Sequence, residues 1–381
     1  MGFLDAWRGR IRPGVLGVAA AAALLAACGG GDGGSTYNGG GMGGGGGGGT
    51  GGSGMDYALR NIVSDTPGGA YAGTHTDTHL VNPWGIAFNP QGFVWVSNAG
   101  TSTSTLYDGE GNPQSLVVSI PPGASGDSEP AGIVFSGGTD FVVTQNGLSG
   151  PSRFIFASGA GTLSGWAPGA NMANAIKVYD GGATGQSFKG LALAAGRLYA
   201  ADFGKGTVDV FDGSFAPTTV AGGFADPTLP AAYAPFGIQA VGSEIFVAYA
   251  QRGPTGDETK GVGLGALTVF DTNGNLLRRL VSPGGALNAP WGIAMAPGNF
   301  GRFSNALLVG NFGDGHINAF NPNTGALLGS LSTTSGVPLA VDGLWGIAFG
   351  NGLNSQPTNT LFFAGGPADE THGVYGRIDV N

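Results

Sequence analysis

Charge is the first thing this chain lacks. Only 10% of its 381 residues are Asp, Glu, Lys or Arg, against about a quarter in an ordinary soluble domain. Its formal net charge is -9 and no run of Lys or Arg appears. A nucleic-acid partner needs a clustered basic face, so that class is excluded. Cysteine is almost missing too. Cys28 is the single one, so no intrachain disulfide can form and the fold must be held by its core. There is no H-E-x-x-H pair and no G-x-S-x-G elbow, which removes the motif-bearing zinc peptidases and serine hydrolases. Few segments keep apolar residues at helical spacing for three turns.

Glycine is what the chain has in excess, with 78 residues beside 41% apolar content. That pairing suits a turn-rich all-β protein with a real core. Residues 1–27 carry Arg8, Arg10 and Arg12 before an apolar stretch from Val15 to Ala27. The stretch is short for a membrane span and ends in small residues, as a secretory signal does. Its end, Leu25-Ala26-Ala27-Cys28, resembles the lipobox of bacterial lipoproteins, which implies cleavage before Cys28 and lipidation of its thiol. Gly29 at the next position favours outer-membrane sorting by the same resemblance. Residues 28–55 are then an anchored, glycine-rich tether that would hold the rest roughly 30 Å from the lipid. It lacks the flanking strand and helix of a phosphate-cradling loop.

From residue 56 to 381 the chain repeats. A Gly followed by Ile or Leu recurs at Gly85, Gly132, Gly190, Gly237, Gly292 and Gly346, a period of roughly fifty residues. Each unit opens with an apolar strand at that joint (GIAFN, GLALA). A second strand ends near Asn or Asp (VWVSN, LYAAD, LLVGN), a third holds an aromatic before a turn (VDVFDGSF, INAFNPNTG), and a fourth closes the unit. Six units of four strands predict a six-bladed β-propeller. The last unit stops without its fourth strand, while YALRNIVSD (57–65) precedes the first unit alone. The N-terminal strand is therefore expected to complete the last blade and close the ring. The second unit has five strand-like runs, one more than a blade needs.

PWGIAF, GIVFSGGTDFVV, FIFASGAGTLSGWAP, LYAADFGKGTVDVFDG, APWGIAMAP, LLVGNFGDGHINAFNPNTG and DGLWGIAFGNG, in that order, resemble an uncharacterised family of secreted bacterial propeller proteins with NHL-like repeats. The resemblance implies the fold and no activity. Lactonase-type propellers place a metal at the channel mouth among Asn, Asp and Glu, and a ring of such oxygens could hold Ca2+. The candidate ligands here are Glu129, Asp202, Asn311, Asn98 and Asp342. The same residue types also cap turns. Lys189, Trp84, Phe236, Trp291, Trp345 and His372 are candidate binding residues at the mouth. His75, Asp77 and His79 alternate in an extended stretch and form a lesser metal candidate. The loops 252–265 and 367–373 are further places for ligand contact.

PWGIA occurs at residues 83–87 and 290–294, with LWGIA at 344–348. Strand alternation would put Trp, Ile and Phe on one face and Gly and Ala on the other, a blade-to-blade joint. The residue before the Gly is aromatic in units one, four, five and six, but Ala131 and Lys189 in two and three, which predicts a lopsided channel mouth. Two functions follow. One is a lipid-anchored, monomeric binding or interaction scaffold at the cell envelope, engaging a protein, peptide or glycan. The other is a metal-dependent hydrolase or lyase at the mouth.

Overall fold

The structure, a computed structural model, describes residues 56–381. The expected signal peptide, Cys28 and tether lie outside them. Helix is confined, among the described residues, to three 3-10 turns such as Gly301–Phe303. Everything else that is regular is strand, as short β-branched and aromatic runs between Gly and Asn turns require.

Six four-stranded antiparallel blades follow one another. Blade one is Pro83–Phe88, Val94–Asn98, Thr103–Tyr107 and Pro113–Ser119, and blades three, four and five repeat that simple order. Blade six takes Leu344–Phe349, Leu361–Gly365 and Val374–Val380 from the C-terminal end and Tyr57–Ser64 from the other. Tyr57 faces Val380 and Ser64 faces Val374 in an antiparallel register. This pairing covers an edge that would otherwise be open to intermolecular strand addition. His75–Thr76 adds a short parallel pairing outside it.

Blade two resolves the surplus run. Its strands are Pro130–Phe135, Phe154–Ser158, Thr162–Trp166 and Ile176–Asp180. Val142–Gln145 instead pairs with Leu148–Pro151 as a separate hairpin. That hairpin lies between the first and second strands, so Gln145 and Asn146 belong to the face opposite the loops that join second to third strands.

The joint departs from simple alternation. In blade one Pro83 faces Asn98 and Ile86 faces Val96, leaving Trp84 and Gly85 opposite Ser97 alone. The same extra residue interrupts the inner strand of every other blade at its equivalent position. A bulge bends the strand and re-aims a side chain. Trp84 consequently leaves the face of Ile86 and Phe88, which pack in the seam toward blade six, and joins the axial cluster with Phe236, Trp291 and Trp345. The expectation of one shared face for Trp, Ile and Phe is thus overturned by the bulge.

Glycine at the joint has a plain steric cause. A Cβ built on Gly85, Gly132, Gly190, Gly237, Gly292 or Gly346 would come under 3 Å from the inner-strand backbone of the following blade. Gly346 meets Trp84 of blade one, so the contact runs unbroken around the ring.

Candidate functional site

The aromatic residues that the bulges swing inward fill the channel axis. Trp84 and Trp345 stack at 3.4 Å between centroids, and Phe312 stacks on Trp345 at 3.9 Å. Trp291 meets Trp84 edge-on at 5.8 Å. Phe236 of blade four reaches Trp84 of blade one across the channel, at 6.3 Å. The indole N–H groups of Trp84 and Trp345 both donate to the side-chain oxygen of Asn82, at 3.1 and 3.2 Å. Asn82 holds a left-handed backbone, φ 45°, which Asn adopts more readily than most residues.

Blades two and three have no aromatic at the joint, where Ala131 and Lys189 stand, and the mouth cavity opens beside these two residues. It measures about 430 Å3 and is walled by Trp84, Ala131, Lys189, Asn82 and four carboxyl-bearing residues, Glu129, Asp257, Glu258 and Glu370. The mouth is therefore lopsided. Lys189 Nζ lies 4.9 Å from the Trp84 ring centre, and Lys260 Nζ lies 4.3 Å from that of Phe312. Each ammonium rests on the electron-rich face of a ring, an arrangement worth about 0.5–2 kcal/mol. Asn82 Nδ2 donates to Glu370 Oε2 at 2.8 Å, so the two Trp rings, Asn82 and Glu370 form one hydrogen-bonded chain.

Burial pushes the Glu258 carboxyl up from its ordinary range; Lys189 opposes this, while Glu370 and Asp257 reinforce it. Burial raises Glu370 as well, against the Asn82 hydrogen bond and the pull of Lys189 and Lys260.

The strand-end residues serve differently. Asn98, Asp202 and Asn311 close the second strands of blades one, three and five and are fully buried. Asp202 Oδ1 accepts the amides of Ser187 and Lys205, both at 3.0 Å. Asn311 Oδ1 accepts the amide of Asn288 at 3.1 Å, and its Nδ2 donates to the Ala286 carbonyl at 2.9 Å. Asn98 Nδ2 donates to Thr103 and Thr105. Asp202 and Asn311 staple their blades to the loops beside them, Asn98 ties the second strand of blade one to the third, and none of the three lines the mouth cavity. Asp202 Oδ2 is left without a partner, and burial raises this carboxyl to about 6.

The remaining candidates are dispersed. Asp342 accepts from the Tyr71 hydroxyl at 2.9 Å and the Ala368 amide at 3.0 Å. His372 Nδ1 is 2.8 Å from Asp65 Oδ2. Asp77 is engaged by the His79 amide and ring and by the Tyr107 hydroxyl, while His75 lies in the short pairing with Val63. Among the described residues, no group of three or more His, Cys, Asp or Glu is placed to hold a metal ion.

The sequence marks the loop 252–265 as a place for ligand contact but singles out neither Asp257 nor Glu258 within it. The available signal was the loop 252–264 of blade four, long where blades one, two, three and five turn tightly and carrying Asp257-Glu258-Thr259-Lys260.

No protein-family model matches the chain. Over 313 residues it is 34% identical to the uncharacterized protein R648 of Acanthamoeba polyphaga mimivirus, covering 80% of this chain and 76% of the viral one. The uncharacterized protein L690 of the same virus is 32% identical over 313 residues, covering 80% and 81%. Among solved structures, the PQQ-bound form of an aldose sugar dehydrogenase from Streptomyces coelicolor superposes with a TM-score of 0.50 at 14% identity, over 86% of this chain and 99% of that one. That likeness concerns the propeller fold alone. The sequence relatives named here are viral, so they do not bear on the bacterial, secreted character implied by the earlier resemblance. At this level of identity and coverage the chain belongs to the family of R648 and L690, and its member here is a six-bladed β-propeller.

Proposed function

We propose that this protein is a binding module whose channel mouth takes a small polar ligand bearing positive charge, such as an amino sugar or the basic end of a peptide. The single observation carrying this reading is the composition of the 430 Å3 cavity. Four carboxyl groups face the Lys189 ammonium there, over a Trp floor, in a chain otherwise poor in charge. An incoming cation would meet carboxylates for charge-assisted hydrogen bonds and a ring face for cation–π contact. In this reading Glu258 and Glu370 bind, Asn82 orients Glu370, and Lys189 is displaced from Trp84 or shares the carboxylates with the ligand. The lipobox-like end at Cys28 would place the module on the outer membrane as a lipid-anchored envelope protein. Titration calorimetry with a glucosamine tetramer and its N-acetylated counterpart tests the mouth. Saturable binding of the cationic oligomer and none of the neutral one is expected. The reverse order would end the reading.

A hydrolase or lyase reading has one observation in its favour. The raised carboxyls of Glu258 and Glu370 share a cavity, where one could donate a proton and the other accept it. If a divalent metal assists, a chelator should lower thermal stability of the purified domain. An unchanged melting temperature, together with metal analysis showing none, would remove that form of it.

A further inference from the structure

A second cavity lies on the other side of the molecule from the mouth. It measures about 580 Å3 and opens between blades one and two, within the usual size of small-molecule sites. Its rim includes residues 89–92, which join the first and second strands of blade one, and Pro168 in the loop between the third and fourth strands of blade two. Both loops lie on the face opposite the mouth. Nothing in the mouth reading involves this cleft.

Its wall is aromatic and rigid. Trp95 stacks on Phe154 at 4.1 Å and tilts against Trp166 at 4.6 Å, and Phe135 meets Phe154 edge-on at 5.4 Å. The Trp166 indole N–H is held by the Met172 carbonyl at 2.9 Å. The seam between blades five and six is closed, by contrast: Phe300 and Phe303 cap Tyr57 at 4.9 and 6.0 Å.

Arg153 is the one charged residue among those lining the cleft. Its backbone is clamped, its amide donating to the Trp166 carbonyl at 2.7 Å and its carbonyl accepting the Ser136 amide at 2.9 Å. Its guanidinium is tethered through Nη1 alone, to the carbonyls of Gly137 and Gly138 at 3.3 and 3.4 Å. The Nε and Nη2 groups donate to no side chain or carbonyl among the described residues. Arg278 shows the alternative, with both terminal nitrogens on Glu244 at 2.7 and 2.9 Å. A guanidinium with a free fork beside an aromatic wall is matched by a carboxylate attached to a flat apolar body.

We propose that this cleft is a binding site for an aromatic monocarboxylate, with the ring system against Phe135, Trp95 and Trp166 and the carboxylate on the Arg153 fork. The test uses the full chain and naphthalene-2-carboxylate as probe, followed by calorimetry and saturation-transfer NMR, with naphthalene-2-carboxamide as the neutral match. The carboxylate is expected to bind at least about tenfold more tightly than the amide. Arg153→Gln should erase that difference while keeping the melting temperature, and Arg153→Lys should restore only part of it. Leu116→Trp, which fills the cleft, should block both probes. Equal binding of the carboxylate to wild type and Arg153→Gln, or no saturation at all, overturns the proposal.

Discussion

The inner ring of the propeller and the loops above it use sequence in opposite ways. The ring is repetitive: a bulge, a Gly and an Ile or Leu recur in six blades, and each Gly presses on the backbone of the next. The mouth is irregular: Glu258 and Lys260 come from one long loop, Glu370 from another, and Lys189 from a joint where the aromatic is missing. A residue repeated in every blade answers a demand made by every blade, which is closure. A residue that breaks the repeat is free of that demand and available for a ligand. PWGIA belongs to the first class, although its Trp84 also forms the floor on which the second class stands.

The largest effect should come from the ring. Gly292→Ala would drive a Cβ into the backbone of Trp345 and cost about 3 kcal/mol, read as a lowered urea midpoint with little change in slope. The strand-end staples come next. Asn311→Ala leaves the Asn288 amide and the Ala286 carbonyl without their partner and should cost about 2 kcal/mol. A loss below 0.5 kcal/mol, on the order of an exposed substitution, would mean that the staple is idle.

Acidity separates another of these staples from the rest. The folded-state Asp202 carboxyl is raised to about 6, above its unfolded value of about 3.9. Its protonated form is therefore favoured by folding. The stability that it contributes is fully present below about pH 4 and is lost as pH rises through about 6. Asp202→Asn, which copies the residue found at the same place in blades one and five, should flatten this part of the pH profile between 4 and 7. An unaltered profile would show that the group titrates elsewhere. The smallest stability effect belongs to the mouth. Glu258→Gln removes a carboxyl whose ionisation burial already resists, so stability at pH 7 should stay within about 0.5 kcal/mol or rise slightly.

The fold was legible because closure forces repetition. The Gly-Ile joints, the strand ends at Asn98, Asp202 and Asn311, and the unmatched run at 57–65 all follow from a ring of equal blades. The surplus run in blade two stayed ambiguous because Val142–Gln145 has the same alternation as a blade strand, and only pairing with Leu148–Pro151 tells them apart. The bulge was hidden for a related reason: a period-two reading assumes an uninterrupted strand. The mouth was least legible. Its acids sit on loops without periodicity, whereas the oxygen-bearing residues at strand ends, which look like ligands on paper, are committed to backbone groups at Asp202 and Asn311 and to threonine hydroxyls at Asn98.

Calorimetric titration of the glucosamine tetramer into Glu258→Gln/Glu370→Gln and into Asn311→Ala, beside wild type, tests the division between building and binding residues most directly. The double variant is predicted to keep its melting temperature and lose affinity by at least about tenfold. Asn311→Ala is predicted to melt earlier and bind as wild type does. Undiminished binding by the double variant, or lost binding by folded Asn311→Ala, would contradict the account.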